Sequence, residues 1–248
     1  MPYPVAAVRG KILQVSTGPS GLLTNLISYW TLDEASGTRV DSVVASGNDL
    51  TDNNTVTQAA GKVGNAGQFV EANLEYLSRA DNALLSTGDI DFTFAGWFYL
   101  DAIPTAAGND ILGKFATNEI EHAVELYRAA GQDHFRFFVS SNGTGATGDL
   151  DNIETMATAT WHFFVVWHDS VANTINSQLN NGTVRSAAYS AGVQDGTAAF
   201  NIGRAVTTRY FNGRIDEVPF WKRVLTATER TNLYNSGNGV TYPFTGVP

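Results

Sequence analysis

The sequence predicts an all-β protein, an antiparallel sandwich of the jelly-roll kind with one short helix near the C-terminus. About a dozen short segments of strand character follow one another at roughly even spacing, separated by turns rich in Gly, Asn, Asp and Ser. The sequence shows no alternation of strand-like segments with long helical segments, and no repeat of fixed period. At 248 residues the chain has the length of one large β domain.

The clearest strand is predicted over residues 91–100, which read DFTFAGWFYL. Successive side chains of a strand point to opposite faces of the sheet, so Phe92, Phe94 and Phe98 share one face. Ala95 and Trp97 lie on the other face. Both faces are apolar enough to be covered, which predicts a central position in the sheet.

A hairpin is predicted where residues 174–179 and 183–187 flank Asn180-Asn181-Gly182, because Asn and Gly tolerate the positive φ of tight hairpin turns. It follows the apolar run WHFFVVW at residues 161–167, which is typical of a buried strand. Residues 141–160 are rich in Gly, Thr and Asp and predict a long surface loop with room for a strand in the middle.

The C-terminal part of the chain combines a strand with a helix. Residues 213–222 alternate between apolar and charged side chains, and Pro219 predicts an edge position or a bulge. Thr226 and Glu229 then have the spacing of a capping box, in which each side chain accepts a hydrogen bond from the other's backbone N–H. Gly237 is predicted to end the helix in a left-handed conformation.

Composition excludes several classes of protein. A net charge of −9 argues against a nucleic-acid partner, which needs clustered Lys and Arg. The chain has no cysteine, so it forms no disulfide framework and no thiolate metal site. No run of about 18 apolar residues predicts a membrane span. The first residues do not resemble a signal peptide, because Arg9 and Lys11 follow the short apolar run instead of preceding it.

Three segments carry a family resemblance. They are YWTLDEASGTRVDS at residues 29–42, the strand FTFAGW at residues 92–97, and GRIDEVPFWKRVLTATE at residues 213–229. Together, and in this order, they resemble laminin G-like domains of the concanavalin A-like lectin/glucanase superfamily, over roughly residues 26–240. The resemblance implies a concanavalin A-like β-sandwich as one domain over residues 26–248. Residues 1–25 contain Pro, Gly and Ser and are predicted to be an extended N-terminal docking arm, with a linker as the alternative.

The resemblance also implies a structural calcium ion where the opening loop meets the Ile-Asp-Glu-Val strand. By position in the motifs, Asp33, Asp41 and Asp216 are the side chains that would hold it, together with loop carbonyls. The alternative is that these carboxylates accept hydrogen bonds from turn amides and pair with Arg39 or Arg214.

Jelly-roll glucanases share this fold and carry a catalytic strand motif, Glu-x-Asp-x-x-Glu. The nearest match here is Glu119, Glu121 and Glu125, with a longer last interval and Glu in place of Asp. We therefore expect no catalysis, and the glycoside hydrolase with Glu121 and Glu125 is kept as the least favoured alternative.

Exposed aromatic side chains predict glycan contacts, since an aromatic face suits the C–H face of a sugar ring. Tyr210 with Arg209, Tyr189 and Tyr127 are the candidate ligand-binding residues. The alternative for each tyrosine is packing in the core or in a loop.

From this architecture we expect a non-catalytic binding or assembly module. The favoured interpretation is a virion protein, a phage capsid decoration or a fibre or tail protein, displayed on the virion surface. Residues 1–25 would dock on a capsid or tail protein, within a homo-oligomer or larger assembly, and the domain would bind a glycan or cell surface. The alternative is a free bacterial lectin that is extracellular without a cleaved signal peptide.

Overall fold

The computed structural model describes residues 20–245, which contain sixteen strands. The first eight are β1 (Leu26–Trp30), β2 (Thr51–Asn53), β3 (Thr57–Ala60), β4 (Asn65–Phe69), β5 (Tyr76–Arg79), β6 (Phe92–Leu100), β7 (Asn109–Lys114) and β8 (Ile120–Ala129). The others are β9 (Gln132–Gly143), β10 (Gly148–Glu154), β11 (Trp161–Asp169), β12 (Thr174–Leu179), β13 (Arg185–Ala188), β14 (Phe200–Ile202), β15 (Gly213–Asp216) and β16 (Val218–Trp221). Two short α-helices are α1 (Ser20–Leu23) and α2 (Ala227–Tyr234).

The strands form two antiparallel sheets, which confirms the predicted sandwich. The nine-stranded sheet has the order β13-β12-β11-β6-β15-β4-β3, and β16 joins it between β6 and β1. The seven-stranded sheet has the order β10-β9-β8-β7-β14-β5-β2. Both sheets combine pairs of strands that are neighbours in the chain, such as β8 and β9 or β11 and β12, with pairs that are distant, such as β5 and β14 or β6 and β15.

Strand β6 is central, as its sequence predicts. One face contributes Phe92, Phe94 and Phe98 to the core between the sheets. The opposite face places Ala95 and Trp97 in a second apolar cluster, which is covered by helix α2. Both faces are therefore buried, and burial of aromatic side chains on each is the main source of stability at this strand.

The closing strand is interrupted two residues before Pro219, and Pro219 does not lie in an edge strand, because β16 pairs with both β1 and β6. The break lies at Glu217, whose backbone has a φ of 50° and separates β15 from β16. Pro219 lies inside β16, opposite Tyr29 of β1. Strand β16 pairs with β6 through Phe220 and Trp221. Pro219, which has no backbone N–H, lies outside this pairing and interrupts no hydrogen bond to β6.

Helix α2 has the predicted capping box. The side chain of Thr226 accepts a hydrogen bond from the backbone of Glu229, and the Glu229 carboxylate accepts one from the backbone of Thr226. The helix ends at Asn235, in a left-handed conformation with a φ of 47°, and not at Gly237. Asparagine tolerates this conformation better than other non-glycine residues, which explains the earlier stop.

Residues 20–25, the last part of the predicted arm, pack on the domain itself. The backbone oxygen of Leu22 accepts a hydrogen bond of 2.7 Å from the Trp221 indole, and Arg223 donates to the backbone oxygens of Gly21 and Thr24. The Leu22 side chain is fully buried. The rest of the predicted docking arm, residues 1–19, lies outside the described residues. Within residues 20–245, neither helix is long and apolar enough to cross a membrane.

Candidate functional site

Charged and aromatic side chains collect on the outer face of the seven-stranded sheet. Strand β8 turns Val124 and Leu126 into the core, so the alternate residues Glu125 and Tyr127 point outward. Arg136 on β9 lies directly opposite Glu125. On β10, Asp149 and Asp151 flank the inward Leu150 on the same outer face; Leu150 is part of the core. Strand alternation thus brings these outward residues from three strands into one row.

This row lines a cavity of about 340 Å³, which we name the first hollow. Arg136 donates two hydrogen bonds to the Asp149 carboxylate, of 2.8 and 2.6 Å, and a third of 3.3 Å to Glu125. Arg209 donates to the other oxygen of Glu125 at 2.5 Å. The two arginines and two carboxylates of this network compensate each other, and the two-point contact raises the pKa of Arg136.

Tyr127 forms the aromatic wall of the first hollow. Its ring stacks on His134 with the centroids 4.5 Å apart, and its hydroxyl donates a hydrogen bond to Asp151. Partial burial and the neighbouring Asp151 raise the pKa of Tyr127 to about 12, so the hydroxyl keeps its proton at neutral pH. His134 also contacts Asp151, at 3.0 Å. The stacking on His134 and the hydrogen bond to Asp151 together fix the orientation of the Tyr127 ring.

The loop of residues 203–210 crosses this outer face and carries Arg209. The Asp110 carboxylate fastens it by accepting hydrogen bonds from the backbone of Ala205, at 3.0 Å, and of Val206, at 2.6 Å. Burial raises the pKa of Asp110 to about 7, and the nearby Glu125 also raises it. The second oxygen of Asp110 is buried without a hydrogen-bond partner among the described residues.

Two further hollows continue from the first. The second hollow, of about 260 Å³, shares Arg136 and Arg209 with it. The third hollow, of about 390 Å³, shares Phe115 and Val206 with the second. We name the three together the outer groove.

The four candidate ligand-binding residues separate into two groups. Tyr127 and Arg209 both line the first hollow. Tyr210 is buried beside the third hollow, with its ring 6.1 Å from that of Tyr76. Tyr189 belongs to the core, and its hydroxyl donates to the backbone oxygen of Gly192 at 2.6 Å. The structure therefore brings only Tyr127 and Arg209 together.

Glu121 and Glu125, the candidate catalytic pair, have separate environments. Glu121 is fully buried and lines none of the three hollows. It accepts hydrogen bonds from the backbone of Thr87 and of Gly196, both at 3.0 Å, and pairs with the buried Lys114 at 2.5 Å. Glu125 lies on the outer face between Arg136 and Arg209.

Sequence reasoning missed Arg136, Asp149 and Asp151. Asp149 and Asp151 lie in residues 141–160, which were predicted to be a long loop with room for a strand in the middle, and residues 148–154 do form strand β10 there. The alternation in Asp149-Leu-Asp151-Asn-Ile was the available signal, since Leu150 separates two outward carboxylates.

Two of the three predicted calcium ligands meet at one turn. Asp216 accepts hydrogen bonds from the backbone of Lys62, at 2.6 Å, and Val63, at 3.0 Å. Asp33 accepts one of 2.6 Å from the backbone of Asn65, at the end of the same turn. The second oxygen of Asp216 is buried without a partner among the described residues, and burial raises the pKa of this carboxyl to about 8.

Asp41 does not join them. One of its oxygens accepts hydrogen bonds from the backbone of Tyr29 and Val43, and the other accepts one from the Ser46 hydroxyl. Both oxygens thus have partners within its own loop, as in the alternative interpretation. In the part of the chain that the structure describes, no group of three or more His, Cys, Asp or Glu side chains is arranged to hold a metal ion. Backbone carbonyls would have to supply most ligands of a calcium ion.

Comparison with protein families gives one match. The family model described as "Concanavalin A-like lectin/glucanases superfamily", Laminin_G_3, matches residues 73–229, more than half of the chain. No curated protein sequence matches the chain.

Several solved structures have a similar fold and low sequence identity to this chain. Domain 4 of AbnA, a GH43 extracellular arabinanase from Geobacillus stearothermophilus in complex with arabinotriose, has a TM-score of 0.65 and 16% identity, over 87% of this chain and 98% of that one. The binding domain of Paraclostridial Mosquitocidal Protein 1 has a TM-score of 0.65 and 13% identity, over 86% of this chain and 52% of that one. The binding domain of Botulinum Neurotoxin DC in complex with SialylT has a TM-score of 0.61 and 11% identity, with the same coverage. The chain spans about half the length of the toxin domains.

Proposed function

Because this chain belongs to the concanavalin A-like lectin/glucanase superfamily, we propose that it is a non-catalytic carbohydrate-binding domain that uses the outer groove. The observation that carries the proposal is the first hollow, where Tyr127 stands beside Arg136, Arg209, Asp149 and Asp151. Sugars present apolar C–H faces and hydroxyl edges. A fixed aromatic ring can pack against a C–H face, and planar polar groups held in place by ion pairs can form hydrogen bonds with the hydroxyl edge.

The similar structures support this proposal by analogy of fold. The arabinanase domain was solved with arabinotriose and the neurotoxin domain with SialylT, both of them carbohydrates. At 16% and 11% identity these ligands do not transfer to the present chain. The ligand is therefore proposed from the chemistry of the first hollow alone.

The environments of the acidic residues support a role without catalysis. A glycosidase needs one protonated and one ionised carboxyl group on opposite sides of the sugar bond. Glu125 forms ion pairs with both Arg136 and Arg209, and Asp110, the carboxyl group beside it with a raised pKa, is fully buried under the loop of residues 203–210. Glu121 is buried with Lys114. Glu121 and Glu125 therefore do not face the outer groove together, as a glycosidase pair must.

We further propose that the domain is the outward part of a virion component, docked on a capsid or tail protein through its N-terminal segment, in an oligomer or larger assembly. Residues 20–25 pack on the domain itself, through hydrogen bonds that their backbone oxygens accept from Trp221 and Arg223. The deletion that tests docking must therefore stop at residue 19. In a virion protein this deletion should abolish co-purification of the chain with virus particles and leave its melting temperature unchanged. A free extracellular lectin should be unaffected by the deletion.

A glycan array followed by isothermal titration calorimetry tests the carbohydrate proposal. We expect binding of a restricted set of oligosaccharides, with no release of reducing sugar on prolonged incubation. Absence of binding across the array would contradict the proposal. Release of reducing sugar that is lost in an E125Q variant would favour the hydrolase alternative.

A further inference from the structure

The third hollow differs in charge from the first. Its lining contains Phe115, Thr117, Asn201, Arg204, Val206 and Thr207. Arg204 is the one charged residue among the lining residues described. The first hollow, by contrast, has two arginines and three acidic residues, and those arginines are paired.

Two tyrosines hold Arg204 in place. Its guanidinium carbon lies 3.6 Å from the ring centroid of Tyr76 and 5.6 Å from that of Tyr210. One terminal nitrogen donates a hydrogen bond of 3.3 Å to the Tyr210 hydroxyl. Stacking of a guanidinium on aromatic rings is favourable and restricts the side chain without neutralising its charge. Arg204 therefore remains a cation with a fixed position.

Arg204 also lacks a carboxylate partner. Within residues 20–245, no Asp or Glu forms a salt bridge with it, although Arg136 and Arg209 of the same groove each form at least one. Its Nε is buried and has no hydrogen-bond partner among the described residues. A guanidinium offers several N–H donors in a planar fork that matches carboxylates and sulfates, and most of those donors are unused here.

We propose that the third hollow binds the acidic group, a carboxylate or a sulfate ester, of a glycan whose neutral part extends through the second hollow toward Tyr127. Arg204 supplies the charge, the hydroxyls of Thr117 and Thr207 supply hydrogen bonds, and Phe115 supplies an apolar wall. The inference rests on the proposed carbohydrate-binding function and adds the class of glycan. The first hollow does not select the acid, because its arginines are already compensated by Glu125 and Asp149.

The binding experiment compares lactose, sialyllactose and sulfated lactose, with further matched acidic and neutral pairs from the array. In the unmodified protein we expect the acidic members to bind at least about tenfold more tightly, the effect of one charge-assisted contact. Arg204→Gln should lower the affinity for the acidic members to about that of their neutral counterparts and so remove this preference. Arg204→Lys should restore part of it for the sulfate and less for the carboxylate, because lysine lacks the planar fork.

Arg214→Gln is the matched control. Arg214 also stacks on a tyrosine, Tyr99 at 4.5 Å, and forms no salt bridge among the described residues, but it belongs to the other sheet. This variant should keep the full preference for acidic glycans. Equal binding of acidic and neutral members, or a loss that R204Q and R214Q share, would overturn the inference.

A second measurement does not depend on glycan binding. Sodium sulfate is titrated while the Nε–H resonance of Arg204 is followed by NMR, with R204Q to assign it. We expect a saturable shift at Arg204 and at backbone amides of residues 115–117 and 201–207. A shift in a protein that binds no glycan would leave the anion site standing and refute the carbohydrate proposal. No shift at Arg204 would refute the anion site itself.

Discussion

Tyr29 of the first strand donates a hydrogen bond through its hydroxyl to Glu217, 188 residues later in the chain. The same hydroxyl lies 3.0 Å from the backbone oxygen of Val240. Burial, together with the neighbouring Asp216, raises the pKa of Glu217 to about 9. Because a hydroxyl carries one hydrogen, it donates to one of these two oxygens at a time. Strand β1, the break at Glu217 between β15 and β16, and the C-terminal segment at Val240 thus meet at one buried point.

We expect Tyr29→Phe to lower the free energy of unfolding by about 1–3 kcal/mol, because it leaves the buried Glu217 and the Val240 carbonyl without their partner. Urea denaturation measures the change. Tyr99→Phe is the control, since Tyr99 is only partly buried, and it should have little effect. Equal stability of the Tyr29→Phe variant and the unmodified protein would show that this contact contributes nothing.

Asp110 is expected to make stability depend on pH. Its pKa is about 7 in the folded chain against an ordinary value of 3.8. Since the folded value is the higher one, the stabilising contribution is complete below about pH 4 and is lost as the pH rises through about 7, by at most about 1.4 kcal/mol for each pH unit. The charge of Glu125 also raises the pKa of Asp110, and the charge of Arg209 lowers it.

Asp110→Asn tests this, because the amide oxygen still accepts from Ala205 and Val206 but does not ionise. The unmodified protein should lose stability between about pH 4 and pH 7. The variant should lose less over the same interval. Thermal unfolding across this pH range measures both, and parallel curves would argue against a titrating Asp110.

Tyr127→Ala should weaken glycan binding by roughly threefold to tenfold, the effect of one lost aromatic contact. Tyr99→Ala is the matched control, because Tyr99 is likewise partly buried and lies against a cation, Arg214, but on the other sheet. Titration calorimetry with the best array ligand compares the two variants. If Y99A lost as much affinity as Y127A, the site would not lie in the first hollow.

Calcium is expected to act through Asp33 and Asp216 and not through Asp41. Addition of calcium after dialysis against EGTA should raise the melting temperature, because a ligand that binds only the folded chain stabilises it. Asp216→Asn should abolish this increase. Asp41→Asn should lower stability through its lost loop contacts and still respond to calcium. Identical melting with EGTA and with calcium would exclude a structural ion.

Lys114 and Glu121 are expected to matter for stability. Lys114 is fully buried and contacts Glu121 at 2.5 Å and Asp81 at 2.6 Å. Removal of one partner from a buried ion pair leaves a charge uncompensated, so Lys114→Met should cost roughly 3–5 kcal/mol. Chemical denaturation measures this. Replacing Glu121 by Gln together with Lys114→Met should recover part of the loss, and no recovery would mean that the pair is not coupled.

Local patterns in the sequence predicted the elements that depend on nearby residues. Alternation predicted β6 and its two buried faces, the Asn-Asn-Gly turn predicted the hairpin of β12 and β13, and the spacing of Thr226 and Glu229 predicted the cap of α2. The family resemblance predicted that residues 29–33 lie near residues 215–218, and Trp30 does pair with Val218.

The outer groove was decided by the tertiary structure. Glu125, Arg136 and Asp149 belong to three strands, and only the register of the sheet places them in one row. Arg204 reads in the sequence as one of several loop arginines, and its lack of a carboxylate partner follows from the packing of distant residues around it. The sequence by itself determined which segments become strands, because alternation and turn residues act over a few positions. The charge that each hollow presents depends on which distant side chains meet, and that is a property of the folded chain.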